Sequence, residues 1–131
     1  MSGVNRSLRD QEALRQMVDA AQLIEEFCRE HTVVTFKNDT RTWSATQYQI
    51  LVIGEATAQR LSQQFIAAHP EIPWRQMKRM RDVLAHHYDT IDLDIIWETA
   101  TRDIPDIRRV LQALLSSLTN TDQVVPDAPS A

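Results

Sequence analysis

Glycine, cysteine and long apolar runs are scarce in this chain, and each scarcity narrows the class of protein. The 131 residues include two glycines and one cysteine. A hydrophobic share of 43% with so little glycine fits a helical domain better than a β-sandwich or a parallel α/β fold. No apolar run reaches the roughly 18 residues of a membrane span, and the polar start of the chain has no apolar signal region. We therefore expect one cytoplasmic all-α domain without a membrane partner.

Cysteine content and charge exclude further classes. The single cysteine, Cys28, excludes an intramolecular disulfide and a cysteine metal cluster. It follows Val18, Ala21 and Ile24 at helical spacing, which predicts a place in the core. A net charge of −4 and a pI of about 5.5 count against broad, nonspecific binding of nucleic acid. A local basic groove stays open, because the field at a cleft depends on nearby charges.

Apolar periodicity divides the chain into amphipathic segments. Between them, Phe36 is expected to enter the bundle from a turn or short helix, and Pro105 should break or kink the last run near Arg102. We predict an antiparallel bundle of four to five helices within residues 1–118, followed by a disordered tail at 119–131. The predicted helices cover about 7–30, 42–68, 73–88, a run starting after Asp92, and a last segment to about 118.

Two neighbouring residues are unusual for the interior of the second helix. Gly54 costs about 1 kcal/mol relative to alanine in a helix, so we expect close approach by another helix backbone as compensation. Glu55 is charged among apolar residues. We predict a structural ion pair with a partner such as an arginine, with a catalytic role as the alternative. Asp39 or Thr40, and later Asp92, are predicted helix caps.

The stretch from Met80 to Tyr88 concentrates residues that suit chemistry at a phosphodiester. Arg81 offers a planar guanidinium that donates two parallel hydrogen bonds to phosphate. His86 exchanges a proton near neutral pH, and Tyr88 offers a hydroxyl that binds, donates or is modified. On residue types alone, the simpler interpretation is a helix end with a solvated arginine and a histidine near the last carbonyls.

Several stretches together resemble the HepT-like branch of the HEPN superfamily of small prokaryotic ribonuclease toxins. The resemblance covers roughly residues 8–118. It departs at Asp82, where the family is expected to carry asparagine. The matching stretches are the R-x4-H-x-Y signature through Arg81, His86 and Tyr88, then Ile53-Gly54-Glu55-Ala56, Ile72-Pro73-Trp74, and Ile91-Asp92 followed by Trp97.

The resemblance implies a homodimer in which both motifs line one cleft. It implies the toxin of a type VII-like toxin–antitoxin system, a metal-independent endoribonuclease acting on mRNA or tRNA without a cofactor. The implied partner is an MntA-like nucleotidyltransferase antitoxin, which transfers AMP from ATP to the motif tyrosine, here Tyr88. DNA is not an expected partner.

On a helical wheel of 100° per residue, Arg75, Arg79, Asp82 and His86 form one stripe opposite the predicted core face. With Lys78 nearby, this stripe predicts a local RNA-facing patch. Arg81 differs from His86 by about 140°. Three arrangements are therefore open: the helix unwinds around His86, the Arg81 side chain wraps back, or the pair acts across a subunit interface.

The predicted mechanism assigns proton transfer to His86 and stabilisation of the phosphate charge to Arg81. Asp82 and His87 are auxiliary candidates, with a more structural role expected for His87. Tyr88 would position RNA by stacking or hydrogen bonding.

Two other functions compete with this hypothesis. One is a catalytically silent helical protein that only docks a nucleotidyltransferase. The other is a metal-dependent enzyme using Glu55, His86 and His87. The chain lacks an HExxH pattern and an obvious second carboxylate at ligand spacing, which counts against the metal-dependent enzyme.

Overall fold

The computed structural model describes residues 3–86 and 90–123, with the side chains of residues 3, 4, 86 and 121–123 left aside. Within these ranges the chain is helical and has no β-strand, which confirms the all-α class. None of the described helices is both long and apolar enough to cross a membrane. The helices are α1 (Gly3–Cys28), α2 (Val33–Lys37), α3 (Thr40–Glu55), α4 (Gln63–Ala68), α5 (Trp74–His86), α6 (Leu93–Glu98) and α7 (Ile104–Gln123), and π-helical turns continue α3 at Ala56–Arg60 and join α6 to α7 at Thr99–Asp103.

The four longest helices, α1, α3, α5 and α7, make the bundle. Helix α1 packs against both α3 and α7, and α3 also packs against α5. Helices α1 and α3 run antiparallel, because Cys28 lies against Thr46 and Asp10 lies against Ser62. On the other side of α1, Arg108 of α7 forms an ion pair with Glu25.

The core consists of the apolar faces that the periodicity predicts. Cys28 is buried, and burial raises the pKa of its thiol, as expected for a core residue. Phe36 is fully buried in the short helix α2, and its ring centroid lies 5.1 Å from that of Trp97. Both predictions are confirmed. The largest fully buried apolar side chains are Phe36, Leu14, Met17, Ile24, Ile50, Ile53, Met77, Ile104 and Leu111.

Helices α3 and α5 approach each other closely at Gly54. A Cβ atom at this position would lie 3.0 Å from the backbone oxygen of Met77 and would overlap the Cβ of Arg81. One turn further along, the Thr57 hydroxyl is 4.0 Å from the sulfur of Met77. These contacts make α3 and α5 antiparallel and confirm the predicted backbone approach at Gly54.

Two predicted caps are present. The Asp39 side chain accepts a hydrogen bond from the backbone N–H of Thr42 at 3.1 Å and so caps α3. Hydrogen bonds from the Thr42 hydroxyl and backbone lower the pKa of the Asp39 carboxyl. Asp92 caps α6 in the same way, accepting from the N–H of Asp94 at 2.9 Å.

The predicted continuous helix at 42–68 is wrong, because the chain becomes extended at Leu61 (ψ 140°) and starts a new helix, α4. Buried Asp10 of α1 accepts hydrogen bonds from the Ser62 backbone N–H and hydroxyl, each at 2.7 Å. The Ser62 oxygen in turn accepts from the N–H of Phe65, which caps α4. These bonds compensate for the interrupted helix.

The run expected to break near Arg102 instead widens into the π-helical turn Thr99–Asp103, where the N–H of Ile104 bonds to the oxygen of Thr99. Pro105, which has no N–H, then falls in the first turn of α7, where a helix tolerates it. Helix α7 continues to Gln123, five residues past the predicted end at 118. Residues 124–131 of the predicted tail lie outside the described residues.

Replacing Gly54 with alanine should destabilise the protein despite the higher helix propensity of alanine. The propensity gain of about 1 kcal/mol opposes an overpacking cost of about 1–3 kcal/mol against a backbone carbonyl and a Cβ atom that cannot rotate away. We expect a net loss of about 1 kcal/mol in the free energy of unfolding, measured by urea denaturation. Ser44→Ala, on the exposed face of the same helix, should stay within about 0.5 kcal/mol of the original chain. Equal stability of Gly54→Ala would contradict the close contact.

Candidate active site

Arg81 lies on α5 directly beside Gly54, and its guanidinium lies between two carboxylates. Its Nη1 donates to Oε1 of Glu55 on α3 at 2.9 Å. Its Nε and Nη2 both donate to Oδ1 of Asp82, at 3.0 Å and 2.7 Å. We call this arrangement of Arg81, Glu55 and Asp82 the carboxylate clamp. It confirms the predicted ion pair of Glu55 and identifies the partner.

In the carboxylate clamp the arginine is less exposed to solvent than the two carboxylates. The Arg81 side chain is 24% exposed, whereas those of Glu55 and Asp82 are 54% and 51% exposed. The pKa of Arg81 is raised, first by the hydrogen bond to Asp82 and then by the one to Glu55. The guanidinium therefore stays charged. Because both carboxylates reach water, another anion can compete with them for its donors.

Helix α5 is unbroken from Trp74 to His86, so the helix does not unwind before the motif histidine. Positions 81 and 86 lie about 7.5 Å apart along the axis and about 140° apart around it. All three arrangements stay open for this pair, because unwinding around His86 would involve residues outside the described ranges. The side chain of His86, and all of His87 and Tyr88, lie outside the described residues.

The predicted basic stripe lies on the surface. Arg75, Lys78 and Arg79 are all exposed on α5. Within residues 3–86 and 90–123, none of these three cations has a hydrogen-bond or ion-pair partner. Asp82, another predicted member of the stripe, is exposed but is bound to Arg81. The stripe and the neighbouring Lys78 together therefore offer three free positive charges beside the carboxylate clamp.

Sequence reasoning missed the role of Asp82 as a partner of Arg81. Adjacent helix residues do not normally face each other, and only the length of the arginine side chain lets it reach its neighbour. The juxtaposition of Arg81 and Glu55 had a weak signal. Gly54, which marks the contact between the two helices, directly precedes Glu55 in the sequence.

A metal site has no support among the described side chains, which contain no group of three His, Cys, Asp or Glu residues able to hold a metal ion. Glu55, the carboxylate of the metal-dependent hypothesis, is instead bound to Arg81. The two histidines of that hypothesis, His86 and His87, are not among the described side chains.

Comparison with known proteins gives a consistent family. The family model described as "Ribonuclease HepT-like" matches residues 17–114, which include both the carboxylate clamp and the motif stretch. The chain belongs to the HepT-like ribonuclease family. This confirms the resemblance seen in the sequence and the expected enzyme class.

Individual proteins match this chain over most of their own length. A protein of Thermococcus cleftensis named "Probable ribonuclease HepT" is 40% identical over 101 residues, which are 77% of this chain and 91% of that protein. Two proteins of Methanocaldococcus jannaschii, each named a "Putative RNase", are 32% and 28% identical, covering 75% and 81% of this chain and 80% and 97% of their own length. No solved structure matches the chain.

The carboxylate clamp should weaken RNA binding, because Glu55 competes with phosphate for the guanidinium of Arg81. Glu55→Gln should raise affinity for a 2′-O-methyl RNA, which lacks the attacking hydroxyl, about two- to fivefold at low salt. The gain should shrink as salt is added. Fluorescence anisotropy titration measures both effects.

The matched control is Glu26→Gln, which removes an exposed carboxylate from α1 and should change affinity less. In an Arg81→Ala background, Glu55→Gln should lose most of its effect. A gain of the same size without Arg81 would mean that Glu55 acts only through the general charge of the protein.

Proposed function

We propose that this chain is the toxin of a type VII-like toxin–antitoxin system and acts in the cytoplasm as a metal-independent endoribonuclease on mRNA or tRNA. The observation that carries the proposal is the place of Arg81. Arg81 lies on α5, the basic helix that reaches the motif histidine, His86. Its guanidinium is permanently charged and is held by two carboxylates that a phosphate can displace. Membership of the HepT-like ribonuclease family supports the reaction class.

In the proposed reaction, a base takes the proton from a ribose 2′-hydroxyl, whose oxygen attacks the adjacent phosphorus. The bond from phosphorus to the 5′-oxygen breaks, and an acid protonates that oxygen as it leaves. His86 is the proton carrier. Arg81 exchanges a carboxylate for the phosphate and stabilises the charge that develops on it. His87 has a supporting structural role, and Tyr88 positions the RNA.

A homodimer with a shared cleft is part of the proposal. The 140° offset between positions 81 and 86 of an unbroken helix favours a site in which the two residues come from two subunits. Two copies of His86 would then supply both the base and the acid. Such an interface would bury exposed apolar side chains near the end of α5. Val83 of α5 is 44% exposed, and Ile95 of α6 is 53% exposed.

The alternative function is a catalytically silent protein whose motif surface only docks a nucleotidyltransferase. One observation favours it. Asp82, which stands where the family is expected to carry asparagine, occupies two nitrogen atoms of Arg81 with a charged oxygen. A charged acceptor holds the guanidinium more strongly than an amide oxygen would.

Replacing Arg81 or His86 should remove most of the RNA cleavage activity. Arg81→Ala and His86→Ala should each lower the cleavage rate by about a hundredfold or more and remove growth inhibition on expression. Far-UV circular dichroism should show unchanged helical content. Cleavage by the unaltered protein should persist in EDTA, since the proposed chemistry needs no metal.

Arg15→Ala, an exposed arginine on α1, is the matched control and should cleave normally. Full toxicity of a folded His86→Ala protein would contradict the catalytic assignment.

Absence of cleavage by the unaltered protein would favour the silent alternative, and activity lost in EDTA but restored by Mg²⁺ would favour the metal-dependent one. A strictly monomeric mass by light scattering at micromolar concentration would contradict the shared cleft.

The antitoxin should transfer AMP to Tyr88. The phosphate bound to the tyrosine would add negative charge to the motif. We expect it to pair with the guanidinium of Arg81 in place of substrate and to repel RNA. After incubation with the cognate nucleotidyltransferase and ATP, intact mass spectrometry should show AMP increments. These should vanish in Tyr88→Phe, and the modified protein should no longer cleave RNA.

The chain has two tyrosines, which provides a matched control. Tyr48 lies on α3 and is 63% exposed, so accessibility alone would favour its modification. Increments should therefore persist in Tyr48→Phe. Increments that survive Tyr88→Phe, or modified protein that cleaves at the original rate, would show that Tyr88 is not the switch.

A further inference from the structure

A surface pocket of about 410 Å³ runs along the outer face of α5, beside the carboxylate clamp. Its two ends differ in character, with apolar side chains at one end and charged side chains along the rest. Neither Lys78 nor the apolar end belongs to the stripe that the helical wheel predicts. The lining residues are Ile66 of α4 and Trp74, Arg75, Lys78, Arg79 and Asp82 of α5.

The charge of the pocket points to an anionic ligand. Arg75, Lys78 and Arg79 line it, and none of them has a hydrogen-bond or ion-pair partner in the described part of the chain. Helix α5 carries four basic residues and one acidic residue before His86, although the chain as a whole has a net charge of −4. A concentrated cationic strip on an acidic protein attracts polyanions to one place.

The length of the pocket connects it to the proposed reaction site. From Trp74 to Asp82 the axis of α5 rises about 12 Å, which is about three nucleotides of a stacked strand at roughly 3.4 Å each. Asp82, at the far end, is itself a partner of Arg81. A strand lying in the pocket would therefore arrive at the carboxylate clamp.

The apolar end of the pocket suits a base rather than a phosphate. Ile66 is half-buried, so part of its side chain remains open to a ligand. Trp74 is 6% exposed and is held in place by a hydrogen bond from its Nε1 to the backbone oxygen of His69 at 2.8 Å. The ring of Phe65 packs against it in an edge-on arrangement, with a centroid distance of 6.1 Å. This end is thus a fixed apolar wall next to a cationic strip.

We propose that this pocket is a subsite for single-stranded RNA, which holds the nucleotides that flank the phosphate at Arg81. Lys78 and Arg79 contact backbone phosphates, and Ile66 with the edge of Trp74 contacts one base. The strand must be single, because an apolar wall can touch only a base that is not stacked inside a duplex. The proposal rests on the proposed ribonuclease function and adds the substrate class and the binding residues.

The phosphate contacts are tested by salt dependence. The probe is a fluorescein-labelled 2′-O-methyl RNA of about eight nucleotides, titrated by anisotropy at several salt concentrations. For a single strand the slope of log affinity against log salt changes by about 0.7 for each lost phosphate contact. Lys78→Gln and Arg79→Gln should each reduce the slope by about that amount. Arg15→Gln, an exposed arginine on α1, should leave it unchanged.

The base contact is tested with an abasic version of the same oligonucleotide. Ile66→Ala should weaken binding of the intact oligonucleotide about fivefold, the effect of losing roughly 40 Å² of apolar contact. It should not affect the abasic one. Ile66→Val, which keeps most of the packing of α4, should show a smaller loss in the same direction and guards against a folding defect in the alanine variant.

The outcomes separate this subsite from the ribonuclease function. If the unaltered protein cleaves RNA and the Lys78, Arg79 and Ile66 variants bind like it, the subsite is wrong and the function stands. If the unaltered protein neither binds nor cleaves RNA, both fail. Preference for duplex RNA would overturn the single-strand assignment. Variants that lose affinity for the nucleotidyltransferase but not for RNA would assign this surface to the partner instead.

Discussion

The close contact between α3 and α5 at Gly54 determines where the candidate site can form. Without a Cβ at this position, the backbone of α5 lies against α3, and Arg81 begins directly beside Gly54. Its guanidinium then reaches Glu55, the residue after Gly54, at 2.9 Å. A larger residue at position 54 would move α5 outward and carry the arginine with it. The packing of the core and the geometry of the site therefore depend on the same contact.

This contact also determines on which side of α5 each basic residue lies. Arg81 lies on the side that meets α3 and is held by the carboxylate clamp. Arg75, Lys78 and Arg79 lie on the outer side, where no described residue neutralises them. A single helix thus presents one fixed cation and three free ones. Their separation follows from helical periodicity once the buried face, with Trp74, Met77 and Leu84, is fixed against the core.

Features set by local pattern were predictable from the sequence, and features set by distant contacts were not. The buried place of Phe36, the caps at Asp39 and Asp92 and the need for an ion partner at Glu55 follow from periodicity and from the cost of isolated charge. The interruption of the helix after Arg60 depends on the hydrogen bonds between Ser62 and Asp10, which lie 52 positions apart. The local sequence around Arg60 does not predict it. In the site, the sequence predicted an arginine partner for Glu55 but not the bonds of Arg81 to Asp82. Side-chain reach, rather than spacing, decides that contact.

The carboxylate clamp changes how RNA would be attracted in the proposed function. Arg81 with two carboxylates is a locally negative group, so it cannot by itself draw in a polyanion. The free cations of α5 can, and their field acts over about a Debye length, roughly 8 Å at physiological salt. Arg81 would engage only a phosphate already held next to it, by exchanging a half-exposed carboxylate for a phosphate oxygen. Recruitment and charge stabilisation then belong to different side chains of one helix. An acidic protein can in this way act on RNA without a basic surface of the usual extent.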